Sequence, residues 1–217
     1  MKLNELFNPD NPFFTGMEKL MYTMYLSLLW CLVSIPVITI GPATAALYHT
    51  VVKVIRKETG RATNEFFSSF RVNFIKGIVI TAVLILYMVL TLLIIGASGK
   101  MKTGTWLDGY YPYIARAFLI PGLMIGVYIF PLLSRFTCSI KEYIRSSMMM
   151  SIRHFLSTVL FIGLFIGSSY LIFLVPICII IIPALLAFVY SLSMEAIFRK
   201  YMIKPQCEED MLPWYWR

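Results

Sequence analysis

Two ionisable side chains stand inside long apolar runs of this chain, Arg116 near the start of one and Glu195 near the end of another. A bilayer penalises such charges, which makes them functional candidates by default. Arg116 lies one to two turns from the outer end of its run, so its long stem reaches the headgroups by snorkelling. Glu195 precedes Arg199 by one helical turn, and an i,i+4 ion pair at the interface accounts for it more simply than proton coupling. His49 and His154 fall on separate connectors, with no third ligand and no HxxxH spacing to make a metal site. Cys31, Cys138, Cys178 and Cys207 share no ligand spacing, and two of them sit in apolar runs where a thiol acts as a small hydrophobe. No serine or cysteine has a recognisable base, and neither a phosphate loop nor HExxH occurs. The residues predict no catalytic site, no cofactor and no metal, and hence not an enzyme.

The elements that carry these residues are those of a membrane protein. Of the 217 residues 59% are hydrophobic and 14% charged, with a mean hydropathy of +0.78. A soluble domain carries nearer a quarter charged residues, and a transmembrane barrel shows short alternating segments rather than long continuous runs. The net charge of +8 is spread as brackets around the apolar runs, the pattern of membrane anchors rather than of a nucleic-acid surface. The expected fold is all-α, a single polytopic bundle of about five spans.

The stretch 35–57 organises the rest: an apolar run broken at Gly41-Pro42 and restarted as a helix ending in Lys53, Arg56 and Lys57. Spans are expected at about 20–41, 77–97, 110–133, 155–175 and 177–198, with cytoplasmic connectors at 43–76 and 135–154. Two prolines among Asn and Asp keep residues 1–19 from a helix in this reading. The first run is read as a retained span, because 1–19 lack a positive n-region and the run exceeds a signal-peptide core. Connector 43–76 reads as two amphipathic helices lying in the interface plane, with His49, Lys53, Arg56 and Lys57 on the polar face of the first and Gly60 as its C-cap. In the second, Phe66, Phe67, Phe70 and Phe74 face the membrane, with Arg71 and Lys76 at the edge. In connector 135–154, Lys141, Arg145 and Arg153 are opposed only by Glu142, and Met148-Met149-Met150 form an apolar lining. The apolar stretch from 155 is twice the length of one span, and Pro176 is the natural place to fold it into a hairpin. Most of the 19 basic residues fall on one side if the N-terminus lies outside and the C-terminus inside.

Ile35-Pro36-x-x-x-Ile40-Gly41 recurs as Ile120-Pro121-x-x-x-Ile125-Gly126. Pro36, Gly41, Pro42, Pro121 and Gly126 are therefore candidate structural breaks, of the kind that interrupted transporter helices use. Gly122-x-x-x-Gly126 and Gly163-x-x-x-Gly167 permit close helix packing, within the chain or as the seam of a homo-oligomer. Lys53, Arg56, Lys57, Arg71, Lys141, Arg145 and Arg153 are the candidate docking or lipid-headgroup contacts.

Asn11-Pro12-Phe13-Phe14, the core Pro-Val-Ile-Thr-Ile-Gly-Pro-Ala-Thr-Ala-Ala-Leu-Tyr within 32–48, and Phe66-Phe67-x-x-Phe70-Arg71-x-Asn73-Phe74 resemble the YesL family of bacterial membrane proteins. That resemblance covers the first third of the chain. It implies a five-span protein of Gram-positive bacteria, typically encoded beside sugar-binding proteins and permeases of carbohydrate ABC importers, and it supplies no catalytic residues. The reading that follows is an accessory component of carbohydrate uptake at the bacterial cell membrane. Its partners would be membrane lipids and permease, sugar-binding or ATPase subunits. The chain lacks the Glu-Ala-Ala…Gly loop by which an ABC sugar permease docks its ATPase. Alternatives are an autonomous small-solute channel or secondary carrier, and a membrane scaffold or sensor.

Overall fold

The computed structural model describes residues 12–56, 60–98 and 110–201. Among them the chain is helical and no strand occurs. Five segments are long and apolar enough to cross a membrane: Val37–Arg56, Ala62–Ala97, Tyr111–Arg135, Phe155–Leu174 and Ile182–Lys200. The first of these differs from the expected run at 20–41.

Helix α1 runs Pro12–Val33. Pro12, one of the two prolines expected to keep 1–19 non-helical, instead starts it, because a proline at the first helical position loses no hydrogen bond and is preset for helical φ. The helix stops at Ser34-Ile35-Pro36. Pro36 is extended (φ −74°, ψ 114°), and the residue before a proline is pushed out of the α region. The Thr39 hydroxyl donates to Val33 O and Pro36 O, both at 2.6 Å, and closes the break. The break thus falls at 34–36, not at Gly41-Pro42.

Gly41 and Pro42 lie in the first turn of α2 (Ile40–Thr50), which continues without interruption into a π-helical turn, Val51–Arg56. This segment was expected on the membrane surface. It is the most enclosed of the five, with 67% of its apolar window buried against 11% for Phe155–Leu174. The reason is backbone approach. A Cβ on Gly41 would stand 1.9 Å from Thr81 Oγ1 and 2.9 Å from the carbonyl of Gly77, and one on Gly77 would stand 2.9 Å from the Cα of Pro42. Small residues that let helix backbones close in this way drive packing in membrane bundles.

Its partner α3 spans Ala62–Ser98, 37 residues in one helix. At 1.5 Å per residue this is roughly 55 Å, well beyond a hydrocarbon core of about 30 Å. The expected interfacial helix and the span after it are therefore one continuous helix. The N-terminal part of α3 packs on α2, burying Phe66 against Leu47, Val51 and Val54. Phe67 and Phe74 remain partly exposed. Gly60, at the entry to α3, has φ +87°, a conformation that glycine tolerates.

Helices α4 (Tyr111–Ala117) and α5 (Leu119–Arg135) return along α3. Tyr87 on α3 donates to Phe118 O at 2.6 Å, and Lys76 Nζ reaches Cys138 O at 3.1 Å. Helix α6 (Ile140–Arg153) falls in the stretch expected as the connector 135–154. It doubles back along α5, with Tyr143 bonded to Phe136 O and the Ser151 hydroxyl donating to Met124 O at 2.7 Å. Helices α7 (Phe155–Leu174) and α8 (Ile182–Tyr201) form a hairpin around a 3-10 turn, Pro176–Ile180. Tyr128 and Tyr190, packed on Phe161, hold α7 to α5 and α8.

The start of α6 is capped on both sides: Glu142 N–H donates to Ser139 Oγ, and Ser139 N–H donates to Glu142 Oε2 at 2.8 Å. The Ser139 backbone N–H, and after it the side chain, hold the Glu142 carboxyl below its usual range. A depressed folded value means that this stabilisation is present above the unfolded pKa and is lost as pH falls through the folded one. Ser139→Ala is expected to cost about 1 kcal/mol. Hydrogen exchange should show fraying confined to the first turn of α6, and mild acidification of the native chain should reproduce it.

Candidate functional site

Tyr48, His49, Lys53 and Arg56, on α2 and its π-helical turn, each meet a partner on another helix. Arg135, the last residue of α5, and Glu195 on α8 form an ion pair whose side chains are 1% and 8% exposed. Arg135 donates to Glu195 Oε1 through Nη2 at 2.5 Å and Nε at 3.0 Å. The Tyr48 hydroxyl donates to the same oxygen at 3.2 Å. One carboxylate oxygen therefore ties α2, α5 and α8 together.

One turn further along, Arg56 Nη1 donates to the Ser191 carbonyl at 2.6 Å and its hydroxyl at 3.4 Å. On the other side of α2, Lys53 pairs with Glu65 of α3 at 2.7 Å, and His49 Nε2 lies 3.6 Å from the same carboxylate. A π-helical turn is rare and concentrates at functional sites. Here it carries both Lys53 and Arg56.

Charge saturation defines what this arrangement can do. A carboxylate held by a guanidinium and a phenol is a poor base, and no nucleophile adjoins it among the described contacts. The cluster is a cross-brace. The pairing is not the one the sequence suggests: Glu195 has Arg199 one turn away, but Arg199 is exposed, and Arg135 reads as the first residue of the connector. The signal was available, because a lone acid deep in an apolar helix needs a buried cation and Arg135 ends another such helix.

The other candidates scatter. Arg116 is exposed, with its guanidinium 5.7 Å above the Tyr113 ring. Arg71, Lys141, Arg145 and Arg153 are exposed, and Lys57 lies outside the described residues, as do Cys207 and residues 1–11. Gly122 packs on the Tyr87 ring, while a Cβ on Gly126, Gly163 or Gly167 would meet nothing within 4 Å. The two Ile-Pro repeats differ in form: Pro36 is extended between helices, whereas Pro121 lies in the first turn of α5. Met148 and Met149 are exposed and Met150 is buried. Among the described residues no three His, Cys, Asp or Glu come together as a metal site.

Fold and site together define a polytopic all-α protein of the membrane-crossing type, braced by a buried ion pair between the end of α5 and α8. Residues 23–95 match a family described as a protein of unknown function, DUF624. The match takes in the second half of α1, all of α2 and nearly all of α3, the hairpin that carries the Gly41–Gly77 contact. No curated protein and no solved structure matches the chain.

Proposed function

We propose that this chain is a non-enzymatic accessory component of an ABC-type carbohydrate uptake system in the bacterial cell membrane, and not itself the sugar path. The observation that carries this reading is the cross-brace. Large side chains such as Tyr128, Phe161 and Phe198 fill the space between the helices, and Arg135, Glu195 and Tyr48 tie three helices at one carboxylate oxygen. A sugar carrier needs several hydrogen-bonding groups facing an open midplane. The link to carbohydrate uptake comes from the YesL resemblance in the first third of the chain. Permease, sugar-binding or ATPase subunits are the partners, and the exposed cations Arg71, Lys141, Arg145 and Arg153 offer the contacts.

Crosslinking in native membranes under sugar-inducing conditions, followed by pull-down and mass spectrometry, tests it. Near-stoichiometric recovery of a permease or sugar-binding lipoprotein is expected. Recovery of the chain alone would sink the accessory role. A second reading, an autonomous carrier, is favoured by the π-helical turn and its half-buried charges. It requires solute flux in vesicles holding only this protein.

A further inference from the structure

A cavity of about 200 Å3 lies where α5 ends and α6 turns back along it. Leu132, Phe136 and Cys138 line one side, and Tyr143, Ser146 and Met149 of α6 the other. Tyr143 braces the turn between them, its hydroxyl bonded to Phe136 O and accepting from Cys138 N at 3.2 Å. The walls are mainly apolar, and the space exceeds the ~150 Å3 of a dry cavity that takes benzene. It is therefore wide enough for a stretch of acyl chain. Methionines make such walls adaptable.

Two features say what enters. Met149 both lines the cavity and is 42% exposed, beside exposed Met148 and Ile152 and just before exposed Phe155 and Leu156. The mouth thus adjoins an apolar stripe that continues into α7. At the other edge, Lys76 Nζ is held 3.1 Å from Cys138 O. Lys76 is exposed and immediately precedes the apolar half of α3, the position of a headgroup-level anchor. An ammonium has three donors, so it can serve the carbonyl and a phosphate together. Glu142 is engaged with Ser139 at the start of α6.

From this juxtaposition we infer that the α5–α6 cavity is a binding site for one anionic glycerophospholipid. One acyl chain lies between Phe136 and Met149, and the phosphate sits on Lys76. The site lies outside the cross-brace and does not depend on any partner subunit.

The full chain is reconstituted in vesicles of phosphatidylglycerol and phosphatidylcholine in equal parts. It is then moved to mild detergent, and retained lipid is counted by native mass spectrometry. One phosphatidylglycerol per chain is expected. Lys76→Gln should lower the preference for phosphatidylglycerol about fivefold, the effect of one cation at an anionic surface. Ser146→Trp, which fills the cavity, should abolish retention of both lipids. A wild-type experiment stands independently of how the variants fold: phosphatidylglycerol with a diazirine in its acyl chain should label residues 132–150. Labelling spread evenly over the exposed apolar helices, equal retention of the two lipids by the wild type, or an unchanged preference in Lys76→Gln would overturn the site.

Discussion

Glu195→Ala should destabilise the bundle by about 3–5 kcal/mol, because it leaves the Arg135 guanidinium buried without its counter-charge. The arginine side chain is 1% exposed and cannot swing to water without opening the contact between α5 and α8. The expected readout is loss of monodisperse protein after mild heating in detergent, followed by fluorescence-detected size exclusion. Removing both charges with Arg135→Met and Glu195→Leu should restore most of the lost stability, since paired apolar replacements of buried ion pairs are often neutral or stabilising. Tyr48→Phe should cost only about 1 kcal/mol, the worth of one hydrogen bond. A single Glu195→Ala variant as stable as the wild type would show that the carboxylate does not tie the three helices together.

The second large effect is expected at Gly41. A Cβ there would meet the backbone carbonyl of Gly77 at 2.9 Å, and a carbonyl cannot rotate away as a side chain can. The Thr81 hydroxyl, at 1.9 Å from that Cβ, already donates to Gly77 O at 2.7 Å, so moving it also breaks a bond. Gly41→Ala should cost about 1–3 kcal/mol as an overpacked contact. Gly41→Leu should prise α2 from α3 and abolish recovery of folded protein. Gly126→Ala is the matched control for Gly41→Ala, for a Cβ there meets nothing within 4 Å, and about ±0.5 kcal/mol is expected. Both glycines belong to the same recurring Ile-Pro-x-x-x-Ile-Gly pattern. Equal behaviour of the two variants would remove the basis for placing α2 at the centre.

That contrast shows where sequence reading ran out. Gly41, Gly122, Gly126, Gly163 and Gly167 look alike as helix-packing residues, yet only Gly41 and Gly122 meet a neighbour within 4 Å. Spacing states that a surface is small and says nothing about what faces it. The placement of α2 failed for a related reason. His49, Lys53 and Arg56 give the segment an amphipathic pattern, and amphipathic helices beside spans normally lie in the interface. The pattern is equally satisfied when the polar stripe finds Glu65, Ser191 and Glu195 across the bundle. Ser191 and Glu195 lie more than a hundred residues away in sequence, so no window along the chain contains them with α2. The same holds for Glu195, where the nearby Arg199 offered a local partner and the distant Arg135 proved the better one. A buried guanidinium binds the acid in a medium of low permittivity, whereas an exposed i,i+4 pair is worth a few tenths of a kcal/mol.

The sequence by itself determined the class: all-α, polytopic, with long apolar runs bracketed by cations. Those properties are sums over composition and local period, which a bilayer reads directly because every backbone group there must be bonded within its own helix. Where helices stop was partly legible as well, since Pro176 sits in the turn between α7 and α8. Only the tertiary structure decided which helix is central, that 62–98 forms one rod, that α6 doubles back on α5, and which acid meets which base. Those outcomes turn on contacts between residues far apart in the chain, fixed by how closely two backbones can approach and by the requirement that a buried charge find its opposite.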